Sequence, residues 1–206
     1  MLVFFNENLV FLAVPKTGTT AYEAALRGRA DIIYRRRPSL KHTPARKYVR
    51  TIAPFLDKVH DLRPETVAVM REPLDQLRSW YRYRQKSNLD GQPNSSKGMN
   101  FDQFVEGFLS PTPPPPAKLG TQHRFLTDNA DKLRVDHLFA YEKPLEFKTF
   151  LEERFNTALD IPVKNVSPKD IDTRISPELE ARLRERLHKD YALHAEVMKT
   201  GHYRPA

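Results

Sequence analysis

One stretch of the chain places a lysine, a glycine and three threonines directly after an apolar run. Residues 10–20 read VFLAVPKTGTT, so a buried strand is expected to end at Pro15 and a helix to begin after Gly18. The unpaired N–H groups and positive dipole end of a helix start attract anions, and Lys16 adds a full charge. Gly18 also lets an oxyanion approach the backbone closely. Three hydroxyl donors accompany them, at Thr17, Thr19 and Thr20. The stretch therefore predicts a phosphate site.

A second group of polar side chains follows the apolar, β-branched segment 66–70. Arg71 stands directly after this segment, Pro73 opens a predicted helix, and Ser79 lies two turns into it. An arginine at the carboxyl end of a parallel strand points into the crevice where α/β sheets bind ligands. Its planar guanidinium suits bidentate contact with phosphate, and a serine hydroxyl donates to the same oxygens. The sequence therefore predicts a second phosphate contact in this crevice.

Together these residues resemble the sulfotransferases that use 3′-phosphoadenosine 5′-phosphosulfate (PAPS). The matching patterns are PKTGTT at 15–20 and Arg71-x-Pro73-x5-Ser79-x-Tyr81. The resemblance implies that the loop holds the 5′-phosphosulfate. It also implies that Arg71 and Ser79 hold the 3′-phosphate, which separates this donor and its product, adenosine 3′,5′-bisphosphate, from ATP. The loop residues implied in donor binding are Lys16, Thr17, Gly18, Thr19 and Thr20.

Three shorter segments are similar to the carbohydrate-type branch of that family. They are KHT at 41–43, FAYEK at 139–143 and NVS at 165–167. Ala140 departs from the pattern, because an arginine is usual at that point. The resemblance implies an acceptor hydroxyl on a carbohydrate or small molecule, and it makes His42 the candidate general base.

The reaction class follows from the donor that the resemblance implies. Sulfuryl transfer is expected to be in-line and loose, with negative charge building on the leaving phosphate oxygen. Lys16 and the backbone N–H groups of 17–20 are the candidates for stabilising that charge. The loop differs from GxxxxGK[ST], and no lysine–Ser/Thr pair closes it to hold magnesium, so no metal is expected. Three alternative bases remain open: Glu23, His123 and Glu142.

The elements that position these residues alternate between strand and helix signals, which predicts an α/β fold. We expect one domain over 1–206, a P-loop-like three-layer α/β/α arrangement around a central, mainly parallel sheet. Strands are predicted on both sides of a Glu7-Asn8 turn and at 31–34, 66–70 and 135–141. Helices are predicted at 20–27 with Gly28 as C-cap, 43–56, from Pro73, 101–109, 122–125, 145–155 and from Ser176. Segment 85–100 is expected to be a polar loop and 111–116 a stiff surface linker.

Composition constrains the partner and the compartment. The net charge of +8 and pI near 9.7 indicate an anionic partner, and basic residues cluster at 35–50, where an anionic sugar could bind. The chain has no cysteine, which excludes disulfides and thiolate chemistry. We expect no signal peptide and no stable membrane anchor, and hence a cytoplasmic protein.

Two other functional classes remain open. A P-loop kinase or other NTP-binding enzyme would share the strand–loop–helix unit, although the position of the lysine and the Arg/Ser pair argue against it. A basic nucleic-acid-binding domain would explain the charge, but RNP aromatics, helix-turn-helix spacing and zinc ligands are missing, so no nucleic-acid partner is expected. A family member that binds the donor without catalysing transfer is a third alternative, because the assignment of His42 depends on a short segment.

Overall fold

The fold is built on an open sheet, and the computed structural model describes residues 1–162 and 171–205. The strands are β1 (Leu2–Phe4), β2 (Leu9–Leu12), β3 (Ile32–Ile33), β4 (Glu65–Met70), β5 (His137–Ala140) and β6 (His202–Tyr203). They form a six-stranded sheet in the order β3-β1-β2-β4-β5-β6. Every predicted strand is present, and β6 is an addition that the sequence pattern did not predict.

The centre of the sheet is parallel and its edges are antiparallel. β2, β4 and β5 run in one direction, with Phe11 beside Val67 and Val69 beside Phe139. β1, β3 and β6 pair antiparallel with their neighbours. The α/β prediction is therefore confirmed for a mixed sheet with a parallel centre. Because β2, β4 and β5 end at the same edge, the segments that follow them lie side by side.

Helices connect and cover the strands. In the described residues they are α1 (Thr19–Leu26), α2 (Pro38–Lys41), α3 (Ala45–Lys47), α4 (Ala53–His60), α5 (Pro73–Arg84), α6 (Phe101–Leu109), α7 (Gln122–Leu126), α8 (Pro144–Phe155), α9 (Pro177–Arg186) and α10 (His188–Thr200). None of these helices is long and apolar enough to cross a bilayer.

Both faces of the sheet are buried, because alternate strand residues point to opposite sides. On one face, Val10 and Leu12 pack with residues of α3, α4, α7 and α10. On the other face, Leu9 and Phe11 pack with residues of α1 and α8. A third apolar cluster joins α5, α6 and α9, and it fixes the position of the helix that carries Ser79.

The helix predicted at 43–56 forms in three pieces. α3 and α4 are joined by a π-helical segment, Tyr48–Ile52, and Pro54 lies in the first turn of α4. Tyr48, Ile52 and Leu56 all pack into the same core, as their spacing predicted. Val49, within the π-helical segment, is exposed.

Three further predictions about local structure were wrong in detail. α1 ends at Leu26 with Arg27 as its C-cap, so Gly28 does not cap it. The predicted last helix breaks at Leu187 into α9 and α10. The prolines at 111–116 do not form a free linker, because Pro116 is buried within a short 3₁₀ turn, Pro115–Ala117.

Candidate functional site

The loop after β2 has the backbone shape of an anion cradle. Lys16 and Gly18 are left-handed, with φ of 67° and 73°, while Thr17 between them is not. Such alternation turns successive N–H groups toward one point, an arrangement known as a nest. The Thr17 hydroxyl donates to the Val14 carbonyl at 2.9 Å, which holds the loop closed. α1 begins at Thr19, within one residue of the predicted start.

Gly18 has two separate reasons to be glycine. Its left-handed φ strains any residue with a Cβ, and a Cβ built there would lie 3.1 Å from Cε2 of Tyr141. Gly18 is also the N-cap of α1, whose first turn contains no acidic side chain to compete for the helix start. In that turn Thr19 is buried and Thr20 is exposed. The N-terminus of α1 is therefore available to an external anion.

The Lys16 ammonium lies between aromatic rings and other cations. Its Nζ is 4.5 Å from the ring centroid of Tyr83 and 5.8 Å from that of Trp80. Burial, together with the charges of Lys86, Arg71 and Arg84, lowers the pKa of Lys16 to about 8. A poorly solvated ammonium among like charges gains most from a bound anion, so the electrostatics favour an anionic ligand here.

Arg71 joins the end of β4 to this loop. Its Nη1 donates to the Lys16 carbonyl at 3.2 Å, and its guanidinium lies 4.3 Å from the ring centroid of Tyr141. Its Nε and Nη2 both contact Oδ2 of Asp75 at 2.6 Å. The structure thus brings Arg71 and Lys16 into one cluster, 55 residues apart in the sequence.

Two glutamine amides hold the backbone of the segments that carry Lys16 and Arg71. Gln122 accepts from the Arg71 N–H at 2.8 Å and donates to the Arg71 carbonyl at 2.6 Å. Gln76 donates to the Pro15 carbonyl at 2.8 Å. These amides replace the ladder hydrogen bonds that the strands no longer supply beyond their ends, so the loop and the end of β4 are rigidly held.

Ser79 lies on the face of α5 that meets the loop. Gln76, Ser79, Trp80 and Tyr83 recur at helical spacing, and three of the four contact Pro15 or Lys16. Ser79 is buried. Among the described residues no hydrogen bond joins Ser79 to Arg71, whose guanidinium is engaged by Asp75 and the Lys16 carbonyl. The structure therefore brings Arg71 into contact with the loop and puts Ser79 on the helix face beside it, and no hydrogen bond between the two is described.

His42 contacts the segment that leads into the loop. Its Nδ1 lies 2.7 Å from the Ala13 carbonyl, an acceptor that requires the proton on Nδ1. In the neutral ring Nε2 consequently carries the lone pair. Burial lowers the pKa of His42, an effect partly opposed by that hydrogen bond, so the neutral form dominates at physiological pH. This is the protonation state that a general base requires.

The three alternative bases have structural partners. Glu23 is paired with Lys41 at 2.8 Å and with Arg35 at 3.0 Å. Glu142 accepts the Glu72 N–H at 2.7 Å and also lies 3.1 Å from His194. The Nδ1 of His123 lies 3.9 Å from Asp131. Each contact accounts for its residue without a catalytic role.

Sequence reasoning missed the residues that support the cations. Asp75 and Gln76 fall inside the unspecified part of the arginine–serine pattern, and helical spacing from Trp80 would have found Gln76. Tyr141 was noted only as part of a short segment. No sequence pattern marks Gln122, because it meets Arg71 through tertiary packing alone. The NVS segment at 165–167 lies outside the described residues.

Comparisons with protein-family models, with curated proteins and with solved structures give no match for this chain. Within residues 1–162 and 171–205, no group of three or more His, Asp or Glu side chains lies close enough to hold a metal ion. The functional argument therefore depends on the loop, on Arg71 and on the side chains around them.

Proposed function

We propose that this chain is a PAPS-dependent sulfotransferase on a P-loop-like α/β fold, acting on a hydroxyl of a carbohydrate or small molecule. The observation that supports it most is the 3.2 Å contact between the Arg71 guanidinium and the Lys16 carbonyl. It sets a second cation beside the anion cradle, as a donor with phosphate groups at both its 3′ and 5′ ends requires. Magnesium–ATP has no 3′-phosphate that such an arginine could bind.

In the proposed reaction the acceptor oxygen attacks sulfur as the bond from sulfur to the 5′-phosphate oxygen breaks. Nε2 of His42 takes the acceptor proton, and adenosine 3′,5′-bisphosphate leaves. Lys16 and the N–H groups of 17–20 stabilise the charge that builds on the leaving oxygen. Because the ammonium of Lys16 is desolvated by Trp80 and Tyr83, its interaction with that charge is stronger than in water.

Arg71 and Ser79 are the proposed partners of the 3′-phosphate. Asp75 neutralises Arg71 in this structure, so a phosphate competes with that carboxylate for the guanidinium. A phosphate offers three oxygens against the single Asp75 oxygen that both guanidinium nitrogens now share, which favours exchange. We propose the cytoplasm as the location.

Ligand discrimination tests the proposal. Calorimetry is expected to give tighter binding of adenosine 3′,5′-bisphosphate than of magnesium–ATP. Arg71→Ala is expected to weaken bisphosphate binding by about 10–100-fold, the loss of a charge-assisted contact of about 1.5–3 kcal/mol. The same variant should bind adenosine 5′-phosphosulfate, which lacks the 3′-phosphate, as the wild type does.

Lys16→Ala is expected to weaken the binding of both ligands. Lys58 is an exposed lysine on α4, so Lys58→Ala is the matched control. Transfer of radiolabelled sulfate from PAPS to a panel of hydroxyl acceptors then tests catalysis. Tighter binding of magnesium–ATP would support the kinase alternative and overturn the proposal. Steeply salt-dependent binding of DNA or RNA without competition by the bisphosphate would support a nucleic-acid-binding domain instead.

A further inference from the structure

A small cavity of about 240 Å³ lies directly beside the anion cradle. Val14 and Pro15 of the loop form one side of it, and Trp80 of α5 forms another. The Trp80 ring centroid is also 5.8 Å from Nζ of Lys16, so the cavity and the lysine share a wall. A molecule in the cavity would therefore contact a ring that also lies close to Lys16.

Most of the apolar side chains that line this cavity are rings. Pro15, Pro44, Trp80 and Phe125 line it from four different segments. Two amides also line it: Nε2 of Gln76 donates to the Pro15 carbonyl, and Gln122 bonds both backbone groups of Arg71. The volume is about that of eight water molecules, which is enough for a single ring with its substituents.

Two arginines place positive charge at the edge of this mainly apolar cavity. Arg46 and Arg124 both line it, and both are exposed. Arg46 donates to the side-chain oxygen of Asn129 at 3.2 Å, and among the described residues neither arginine forms an ion pair. Guanidinium groups without a carboxylate partner beside a ring-lined cavity favour an anionic substituent on the ring that enters.

We propose that this cavity holds the sulfate acceptor, a monocyclic hydroxyl compound with a carboxylate. Its ring lies among Pro15, Pro44, Trp80 and Phe125, and its carboxylate pairs with Arg46 and Arg124. The inference rests on the proposed sulfotransferase function, and it restricts the acceptor in size and charge. An aromatic hydroxy acid and a uronic acid both have this chemistry.

Trp80 makes the test direct, because it is the only tryptophan of the chain. Its fluorescence, excited at the red edge of its band, reports occupancy of the cavity without turnover. The protein, first alone and then saturated with adenosine 3′,5′-bisphosphate, is titrated with para-hydroxybenzoate, glucuronate, phenol and glucose. We expect at least one carboxylated compound to bind at least tenfold more tightly than its neutral counterpart.

The double variant Arg46→Gln/Arg124→Gln is expected to remove that preference and to leave the affinity for phenol or glucose unchanged. Lys58→Gln is the control for the loss of an exposed positive charge. A response to para-hydroxybenzoate alone identifies an aromatic acid, and a response to glucuronate alone identifies a sugar acid. Equal affinity for neutral and carboxylated rings would overturn the inference, as would a preference that survives in the double variant.

The two proposals fail in different ways. Absence of bisphosphate binding would overturn the sulfotransferase proposal, while the titrations of the protein alone would still report on the cavity. Normal bisphosphate binding with no Trp80 response to either carboxylated ring would overturn the acceptor inference alone.

Discussion

If the proposed function is correct, Lys16 sets the pH dependence of bisphosphate binding. The protonated ammonium attracts the anion, and burial lowers the pKa of Lys16 to about 8. The favourable charge is therefore present below pH 8 and lost above it. From pH 7 to pH 9 the protonated fraction of the free protein falls from about 0.9 to about 0.1, so affinity falls about tenfold, or about 1.4 kcal/mol.

Calorimetric titration of adenosine 3′,5′-bisphosphate at closely spaced pH values measures this loss. The ligand's own phosphates are ionised above pH 7, because their second pKa is about 6. Lys16→Arg keeps its charge throughout this range and is expected to bind with constant affinity. Lys86→Gln removes the largest repulsive charge on Lys16, so the midpoint should move to higher pH. Constant wild-type affinity, or an equal loss in Lys16→Arg, would refute the role given to this ammonium.

Three further predictions concern neighbouring residues. His42→Ala should bind the bisphosphate normally and lose about 10²–10⁴-fold in turnover. Because burial lowers the pKa of His42, the wild-type rate should decline only below pH 6.5, the ordinary pKa of histidine. Gly18→Ala should lower Tm and bisphosphate affinity, since the left-handed φ costs alanine about 1–2 kcal/mol, and Tyr141→Ala should restore only the part due to the 3.1 Å contact. Gln122→Leu removes the amide that bonds the Arg71 N–H and C=O. It should lower the free energy of unfolding by about 1–3 kcal/mol for each unpaired group. An unchanged denaturation midpoint would contradict this.

The sequence predicts the parts of the site that depend on local order. An apolar run that ends at proline, lysine and glycine specifies a strand, a turn and a helix start. The structure has all three in this order, although β2 already ends at Leu12, and α1 begins one residue before its predicted start. Likewise the position of Arg71 at the end of a buried strand is sufficient to bring it to the carboxyl edge of the sheet. These features follow from hydrophobic periodicity and backbone geometry alone.

What the sequence does not predict depends on contacts between distant segments. The amide of Gln122 meets Arg71 because α7 packs against the sheet face to which Ala68 and Met70 of β4 point. No spacing rule in the sequence predicts that contact. The stacking of Arg71 on Tyr141 likewise requires β5 to lie next to β4. The π-helical turn at Tyr48–Ile52 was missed because its apolar spacing is the same as that of a regular helix.

At Lys16 the left-handed backbone lowers stability, while the lysine charge serves the proposed binding of the bisphosphate. A lysine with φ of 67° is less stable there than glycine would be, by about 1 kcal/mol. Lys16→Gly is therefore expected to raise the melting temperature while it removes the charge that the loop presents. A library of variants selected for thermal stability alone would enrich glycine at this position. A library selected for bisphosphate binding would retain lysine, so the two selections would pull this residue in opposite directions.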